Sequence, residues 1–289
     1  MPRIPHPFFN LILVSVIAKF KSADAIVSHN FPTWHKKSLV FIHDFIYIEH
    51  PEWFTLLERI YLSGIRPLVS IFAKKVFTSS NTEKIRISKY LHKPIYLAPL
   101  GVRTSLKEAI PQKPQISNVI QTPYILSVGR DNPRKNLLTL IDAYVLLANQ
   151  ENFPSLIIVG EIESEHYLRL IPISLRDKVL ILNQVTDNEL SWLYRNCQIF
   201  SFLSLDEGFG LPVLEALYFN CTLLLSDIKV FREISKGKAE FVNPMSSTEV
   251  SSGIIRVLAD GNPKLGYLPK EIFAWTQSIE KIRSEIIEP

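Results

Sequence analysis

Short apolar runs closed by turn residues recur along the chain and alternate with segments of helical period. The runs are AIVSH (25–29), LVFIHD (39–44), VFTSS (76–80), IYLAP (95–99), YILSVG (124–129), LIIVG (156–160), VLIL (179–182), IFSFL (199–203), TLLLS (222–226) and AEFV (239–242). Helical periodicity fills most of the gaps, as in residues 137–149, 188–196 and 212–219. Continuous apolar strands separated by helices predict parallel sheets covered on both faces, hence a doubly wound α/β fold. Asp187 before NELSWLYRN and Pro212 before VLEALYF read as helix starts.

The pattern breaks between Pro111 and Pro123, within KEAIPQKPQISNVIQTP, which is polar, proline-rich and without apolar periodicity. Four strand-like runs precede it and six follow. A chain of 289 residues has material for two domains at about 100–200 residues each. The expected division is an abbreviated first domain over residues 1–118, a second over 119–270, and a terminal helix in 271–289 packing back toward the first.

Composition narrows the class. An apolar content of 47% excludes a disordered chain, and 2 cysteines exclude a disulfide scaffold. The net charge of +4 comes from scattered Lys and Arg, which suits an anionic ligand or a membrane surface and does not argue for nucleic acid. The segment FFNLILVSVIA (8–18) falls short of the ~20 apolar residues of a spanning helix. It is expected to be a helix packed on a core; the alternative is a helix touching a membrane peripherally. A cytosolic chain follows, peripheral on the inner face of the cytoplasmic membrane under that alternative. Cys197 and Cys221 then read as buried small side chains, and the four tryptophans as packing residues.

Ligands of open parallel sheets bind beyond the carboxyl ends of the strands. In SVGRDNPRKNL (127–137), Gly129 ends a run, Arg130 and Lys135 follow, and a helix starts nearby. Two cations and a helix N-terminus there suit a diphosphate; a solvated basic loop is the plain alternative. In SLDEGFGLPVLEAL (204–217), Glu207 sits on a loop, Gly208-Phe209-Gly210 lead to Leu211 and Pro212, and Glu215 follows in the helix. Glycines admit a ligand to the backbone, and a helix start favours an anion. Both glutamates are expected to stand exposed in a cleft, although a Glu near a helix start commonly just complements the helix dipole.

EGFGLPVLEA (207–216), with SVGRDNPRKNLLTLIDAY (127–144), resembles the retaining glycosyltransferases of family 4, the "glycosyl transferases group 1" domain of the GT-B fold. HN (29–30), HD (43–44), SSN (79–81), LAPLGV (97–102), IIVGE (157–161), VTDNELSWLY (185–194), SDIKVFREI (226–234) and FAW (273–275) extend the resemblance in family order. It implies two Rossmann-like domains facing a cleft, with a nucleotide-diphosphate sugar (UDP-, GDP- or dTDP-linked) held by the second. The acceptor, a glycan or lipid-linked molecule, would lie mainly on the first.

By that resemblance Arg130 and Lys135 grip the diphosphate, and Glu207 with the amides of Phe209, Gly210 and Leu211 holds the sugar and phosphate. Glu215 would bond the ribose. His43 would line the sugar from the first domain, although a strand-end histidine bonded to backbone is the plainer alternative. Negative charge grows on the leaving β-phosphate, so fixed cations and amides there favour the transition state, and no metal or other cofactor is called for. Family members begin with a strand and a glycine loop, whereas nothing before Asp24 reads as G-x-G or G-G. The expected activity is hexose or deoxyhexose transfer of mannosyl, rhamnosyl or glucosyl type, in polysaccharide synthesis of the cell envelope. The alternatives are a non-catalytic or partner-dependent remnant that binds nucleotide sugar and, less in keeping with EGFGLPVLEA, a sugar-nucleotide epimerase.

Overall fold

A computed structural model describes residues 9–115, 120, 122–259 and 274–287. These form two compact units. The first takes in the described residues up to Leu100, Glu207–Phe209 and those from Ala274 on; the second takes in the described residues of Gly101–Asp206 and those from Gly210 to Ala259.

The first unit is built on a parallel sheet of β1 (Ile26–His29), β2 (Ser38–Phe41), β3 (Lys75–Thr78) and β4 (Ile95–Leu97), in that spatial order. Val40 stands opposite Val76, and Val76 opposite Ile95, so one apolar row crosses three strands. All four residues of β2 are buried, as expected of a strand covered on both faces. Around the sheet run α1 (Ser15–Phe20), α2 (Ile46–Glu49), α3 (Leu56–Ser63), α4 (Ile65–Phe72) and α5 (Asn81–Ser88). Ile65 and Val69 of α4 and Ile87 of α5 close the core over Val40, Ile42 and Val76. Each such side chain contributes about 1.5–3 kcal/mol by leaving water.

The second unit has a six-stranded parallel sheet. Its strands are β5 (Tyr124–Val128), β6 (Ser155–Val159), β7 (Val179–Leu182), β8 (Ile199–Phe202), β9 (Leu223–Ser226) and β10 (Glu240–Val242), ordered β10-β9-β8-β5-β6-β7. The chain winds outward from β5 to β7, returns to the other side of β5, and winds outward again. That reversal opens a crevice at the carboxyl ends of β5 and β8. The helices are α6 (Thr104–Lys107), α7 (Leu137–Leu147), α8 (Ser164–Leu170), α9 (Asp187–Asn196), α10 (Leu211–Tyr218), α11 (Lys229–Ser235) and α12 (Ser247–Ala259). A last helix, α13 (Thr276–Ile287), belongs to the first unit, where Lys75 pairs with Glu285 at 2.9 Å.

All ten apolar runs form strands, and the α/β class of two parallel sheets is as the pattern predicts. Several details differ. The units divide at Leu100–Gly101, before the proline-rich stretch, because the chain beyond Gly101 packs on α9. There the backbone N–H of Ile110 and of Gln112 donate to the side chain and carbonyl of Asn188, and Arg103 pairs with Asp187. Residues 116–119 and 121 of that stretch lie outside the described residues, as does the whole of 260–273 with the expected end of the second domain at residue 270. The helix expected to pack through its apolar side over 8–18 falls partly outside the described residues, and among residues 11–20 only Ala18 is buried, while Val16, Ile17 and Phe20 are exposed. Trp34, expected to pack, is exposed too, and Cys197, expected to be buried, is half-buried. The last detail is the start of α9, whose N-cap is Thr186 rather than Asp187.

Thr186 forms a reciprocal cap: its hydroxyl accepts the Glu189 N–H at 3.2 Å, and the Glu189 carboxylate accepts the Thr186 N–H at 2.8 Å. Thr186→Ala is expected to cost the second unit about 0.5–2 kcal/mol, and Thr186→Ser much less. Differential scanning calorimetry with amide exchange at residues 187–190 would check this; unchanged exchange would show the cap to be dispensable.

Candidate functional site

In the second unit the site grows from the two loops at the sheet's reversal. After β5, the Asn132 side chain accepts the Arg134 N–H at 2.9 Å and starts a short 3-10 turn, Pro133–Lys135. Asn136 ends that turn in the left-handed region, at φ 55°, which asparagine tolerates. Its amide donates to the Leu203 carbonyl at 3.2 Å and to the Pro244 carbonyl at 2.7 Å. Arg134 donates to the Asp206 carbonyl at 2.8 Å, and its own carbonyl accepts the Leu205 N–H at 2.8 Å. The loop after β5 is thereby tied to the loop after β8.

That tie places Lys135 with its ammonium 4.8 Å from the centre of the Phe202 ring, at the end of β8 and alongside Gly129. Arg130 reaches into solvent, 84% exposed, with only a 3.9 Å approach to the equally exposed Glu161. Gly210 precedes α10 at φ 97°, a conformation that side chains rarely adopt, and a Cβ there would stand 2.9 Å from the Phe231 ring. Leu211 and Pro212 then open α10; Pro212 brings no N–H, and the N–H groups of Val213 and Leu214 donate to the Gly210 carbonyl.

Glu215, in the next turn, is buried at 5% exposure. It accepts the Tyr194 hydroxyl at 2.9 Å on one oxygen and approaches Arg103 Nε at 3.4 Å on the other. Burial pushes its carboxyl above the usual range, opposed by the Arg103 charge and the Tyr194 hydrogen bond. Burial likewise raises the Tyr194 phenol well above its ordinary value.

In the first unit, Glu207 is buried and Phe209 half-buried. The Gly208 carbonyl accepts the Ser80 hydroxyl at 2.7 Å. A Cβ on Gly208 would meet the His43 carbonyl at 2.5 Å, so only glycine fits. His43 ends the run of β2, and its Nε2 lies 3.0 Å from Nδ1 of His29 at the end of β1, the two rings nearly parallel. Burial and then the neighbouring His29 hold the His43 imidazole below its ordinary pKa, so it is neutral near pH 7. The loop behind it is braced by Glu83, fully buried, which accepts the Phe45 N–H at 2.8 Å and pairs with Arg86 at 2.6 Å. Burial raises the Glu83 carboxyl, against the Arg86 guanidinium.

Gly129, Arg130, Lys135, Gly210, Leu211 and Glu215 therefore belong to the second unit, and His43, Glu207, Gly208 and Phe209 to the first. Both glutamates are buried rather than exposed, because Glu215 lies under Tyr194 and Glu207 within the packed 207–209 turn. His29, Ser80, Arg103, Arg134, Asn136 and Tyr194 carry no role in the sequence reading, although most of them lie within its motifs. Asn136 follows the RK pair and His29 the first run, but nothing in the spacing aims Arg103 at Glu215. Among the described residues, no three His, Cys, Asp or Glu side chains gather to hold a metal, and no helix is long and apolar enough to cross a membrane.

Two parallel α/β sheets, with these residues at the carboxyl ends of their strands, define a GT-B-type protein. Residues 109–268, more than half the chain, match the model of "Glycosyl transferases group 1", and the chain belongs to that family. It is 26% identical over 257 residues to the O-antigen chain mannosyltransferase RfbU of Salmonella typhimurium strain LT2, spanning 88% of this chain and 70% of that protein. A serotype-specific mannosyltransferase WbdA of Escherichia coli is 31% identical over 144 residues, 47% of this chain but 18% of that one. Among solved structures, sucrose-phosphate synthase from Thermosynechococcus elongatus superposes at a TM-score of 0.73 and 18% identity, over 94% of this chain and 75% of that chain. WaaG, a glycosyltransferase of lipopolysaccharide biosynthesis, gives 0.68 at 16% identity, over 96% and 81%. At such identities these structures speak to the fold alone.

Replacing His29 by Gln is expected to raise the His43 pKa, because a neighbour that lowers it is gone. The value should stay below 6.5, since burial, the larger cause, persists. Imidazole NMR titration would read this. A His43 pKa that does not move would show that the two rings are not coupled.

Proposed function

We propose that this chain transfers a hexose or deoxyhexose, mannose first among them, from a nucleoside-diphosphate sugar to a growing O-antigen-type glycan or its lipid-linked precursor, with retention at the anomeric carbon. The observation that carries this reading is the convergence at the sheet reversal of Lys135, Arg130, the start of α10 and buried Glu215. Cations, helix amides and a carboxylate in that order match a diphosphate followed by a ribose. RfbU and WbdA, both named mannosyltransferases, support the choice of sugar and acceptor class.

In this reading Lys135 and Arg130 neutralise the diphosphate, joined by the amides of Gly210 and Leu211. These groups gain strength as the bond between C1 and the β-phosphate oxygen breaks and charge accumulates on that oxygen. The acceptor oxygen bonds to C1 on the face the leaving group vacates, and its proton passes to the leaving phosphate. Glu207 and the Phe209 amide orient the sugar, with His43 beside it. A neutral imidazole there can donate or accept a hydrogen bond without placing a charge next to the developing oxocarbenium ion. No divalent metal is needed for the phosphate work. Contact with the inner membrane face, where a lipid-linked acceptor would reside, fits the basic charge balance and the exposed apolar side of α1.

A thermal-shift screen with GDP-mannose, UDP-glucose and dTDP-rhamnose, followed by mass spectrometry of acceptor glycans, tests the proposal with and without EDTA. Stabilisation by one donor and EDTA-resistant transfer are expected. Binding without transfer to any acceptor would return the chain to a non-catalytic nucleotide-sugar binder, and loss of transfer in EDTA would restore a metal.

Two sets of variants probe the roles. Lys135→Ala should weaken nucleoside-diphosphate binding roughly tenfold to two-hundredfold, the equivalent of a charge-assisted bond of ~1.5–3 kcal/mol. Parental binding would make Lys135 a surface lysine. Glu207→Gln should lower kcat more than it raises KM, since a sugar displaced by about 1 Å can lose on the order of a hundredfold in rate. Glu215→Gln should chiefly raise KM for the donor, because the ribose is held alike in ground and transition states. Equal, purely KM-type losses in the two would show these roles to be misassigned.

A further inference from the structure

Arg103 lies just past the division between the units and is held by α9. Its Nη1 stands 3.0 Å from Asp187 Oδ1, while its Nε is 3.4 Å from Glu215 Oε1. The first contact is a full hydrogen-bond distance and the second is at the long limit. Asp187 therefore anchors the guanidinium, and Glu215 feels its charge without having Oε1 saturated. The other oxygen of Glu215 is already taken by the Tyr194 hydroxyl at 2.9 Å. Oε1, in one long contact, keeps the greater accepting capacity of the two.

We propose that Arg103 is a positioning residue which, anchored by Asp187, holds its charge against Glu215 and so readies Oε1 for the ribose hydroxyls of the donor nucleotide. This rests on the assignment of Glu215 to the ribose. A carboxylate accepts on both oxygens, whereas a protonated carboxyl presents an O–H donor and suits a pair of hydroxyl donors less well. Burial at 5% exposure drives Glu215 toward the neutral form, and Asp187 adds a like charge in the same direction. The groups facing the carboxyl are Arg103 from the segment before α6, and Tyr194 and Asp187 from α9. The thiols of Cys197 and Cys221 stand behind Tyr194, each directed at its carbonyl oxygen. Arg103 is the cation in this set, so the ionised state of Glu215 depends on it. Its side chain is half exposed, which lets the variant be made without opening the core.

The test compares ribose recognition across pH by isothermal titration calorimetry on the full chain. The probes are GDP, UDP and the 2′,3′-dideoxy form of each, which removes the hydroxyls but keeps base and diphosphate. The ratio of dideoxy to ribo Kd then isolates the ribose, because ionisation of the phosphates cancels. The parent is expected to favour the ribo form by roughly tenfold or more once Glu215 is ionised, a bond of about 1.5 kcal/mol. Arg103→Gln removes the cation, so Glu215 stays protonated to higher pH. Across a pH series, the preference of that variant for the ribo form should set in at higher pH than in the parent, while Arg103→Lys keeps the parental profile. A parental profile in Arg103→Gln overturns the proposal and leaves Glu215 on the ribose. Tighter binding by Arg103→Gln at every pH also overturns it, since Arg103 would then be blocking the site. A parent that binds neither nucleotide, or does not distinguish ribo from dideoxy, fails the Glu215 assignment itself and the proposal with it. Glu215→Gln separates these cases: it should match the parent only if the assignment is wrong.

Discussion

The bonds between the loops after β5 and β8 are the constraint on which the candidate donor site depends. A doubly wound sheet supplies a crevice at its reversal, but a crevice between two untied loops would not hold cations at a fixed spacing. Arg134 gives a backbone carbonyl and a guanidinium to the loop after β8, and Asn136 adds its amide to the Leu203 carbonyl. These side chains spend their polarity on the protein. Of their neighbours, Arg130 reaches into solvent and Lys135 lies against the Phe202 ring. In the sequence RDNPRKN the residues that tie the loops together and the candidate ligand-binding residues lie within seven positions, which is why the segment cannot be sorted by composition.

A second division of labour separates charges by burial. Of the cations beyond β5, Arg130 is 84% exposed and Lys135 half-buried, whereas Glu207 and Glu215 are buried. An exposed cation costs nothing to keep charged and attracts an anion over roughly a Debye length of 8–10 Å. A buried carboxylate is costly to keep charged unless it is bonded, and Glu215 and Glu83 both have such support. Glu215 has Tyr194 and Arg103; Glu83, behind the His43 loop, has Arg86 and the Phe45 amide. The exposed groups are suited to capture and the buried ones to orientation.

The strands and the α/β class were legible in the sequence because both depend on local pattern. A run such as TLLLS must be buried on both faces, and only a parallel sheet with helical crossovers does that ten times over. The string EGFGLPVLEA was legible for another reason: Gly208 and Gly210 sit where a Cβ would strike the His43 carbonyl or the Phe231 ring, so the spelling is dictated by backbone approach. What stayed hidden depends on contacts between residues far apart in the chain. Arg103 and Glu215 are 112 positions apart, Ser80 and Gly208 are 128, and no periodicity links them. The helix of residues 15–20 shows a further limit. Its apolar residues predicted a buried face, yet apolar character says only that burial would be favourable, not that a neighbour is present to provide it.

His29 and His43 show how the same principle governs the first unit. Adjacent parallel strands bring their carboxyl ends level, so the residues closing β1 and β2 meet whatever their separation in sequence. Two imidazoles 3.0 Å apart share one hydrogen bond, which requires one ring nitrogen to donate and the other to accept. A proton added to His43 meets both desolvation and repulsion from His29, so the neutral form of His43 is favoured twice over. The arrangement fixes the tautomer of one ring through the other and does so without a carboxylate. A carboxylate in that place would have stabilised an imidazolium. The histidine pair instead yields an uncharged, oriented side chain, the form that can sit beside a carbon becoming positive without opposing it.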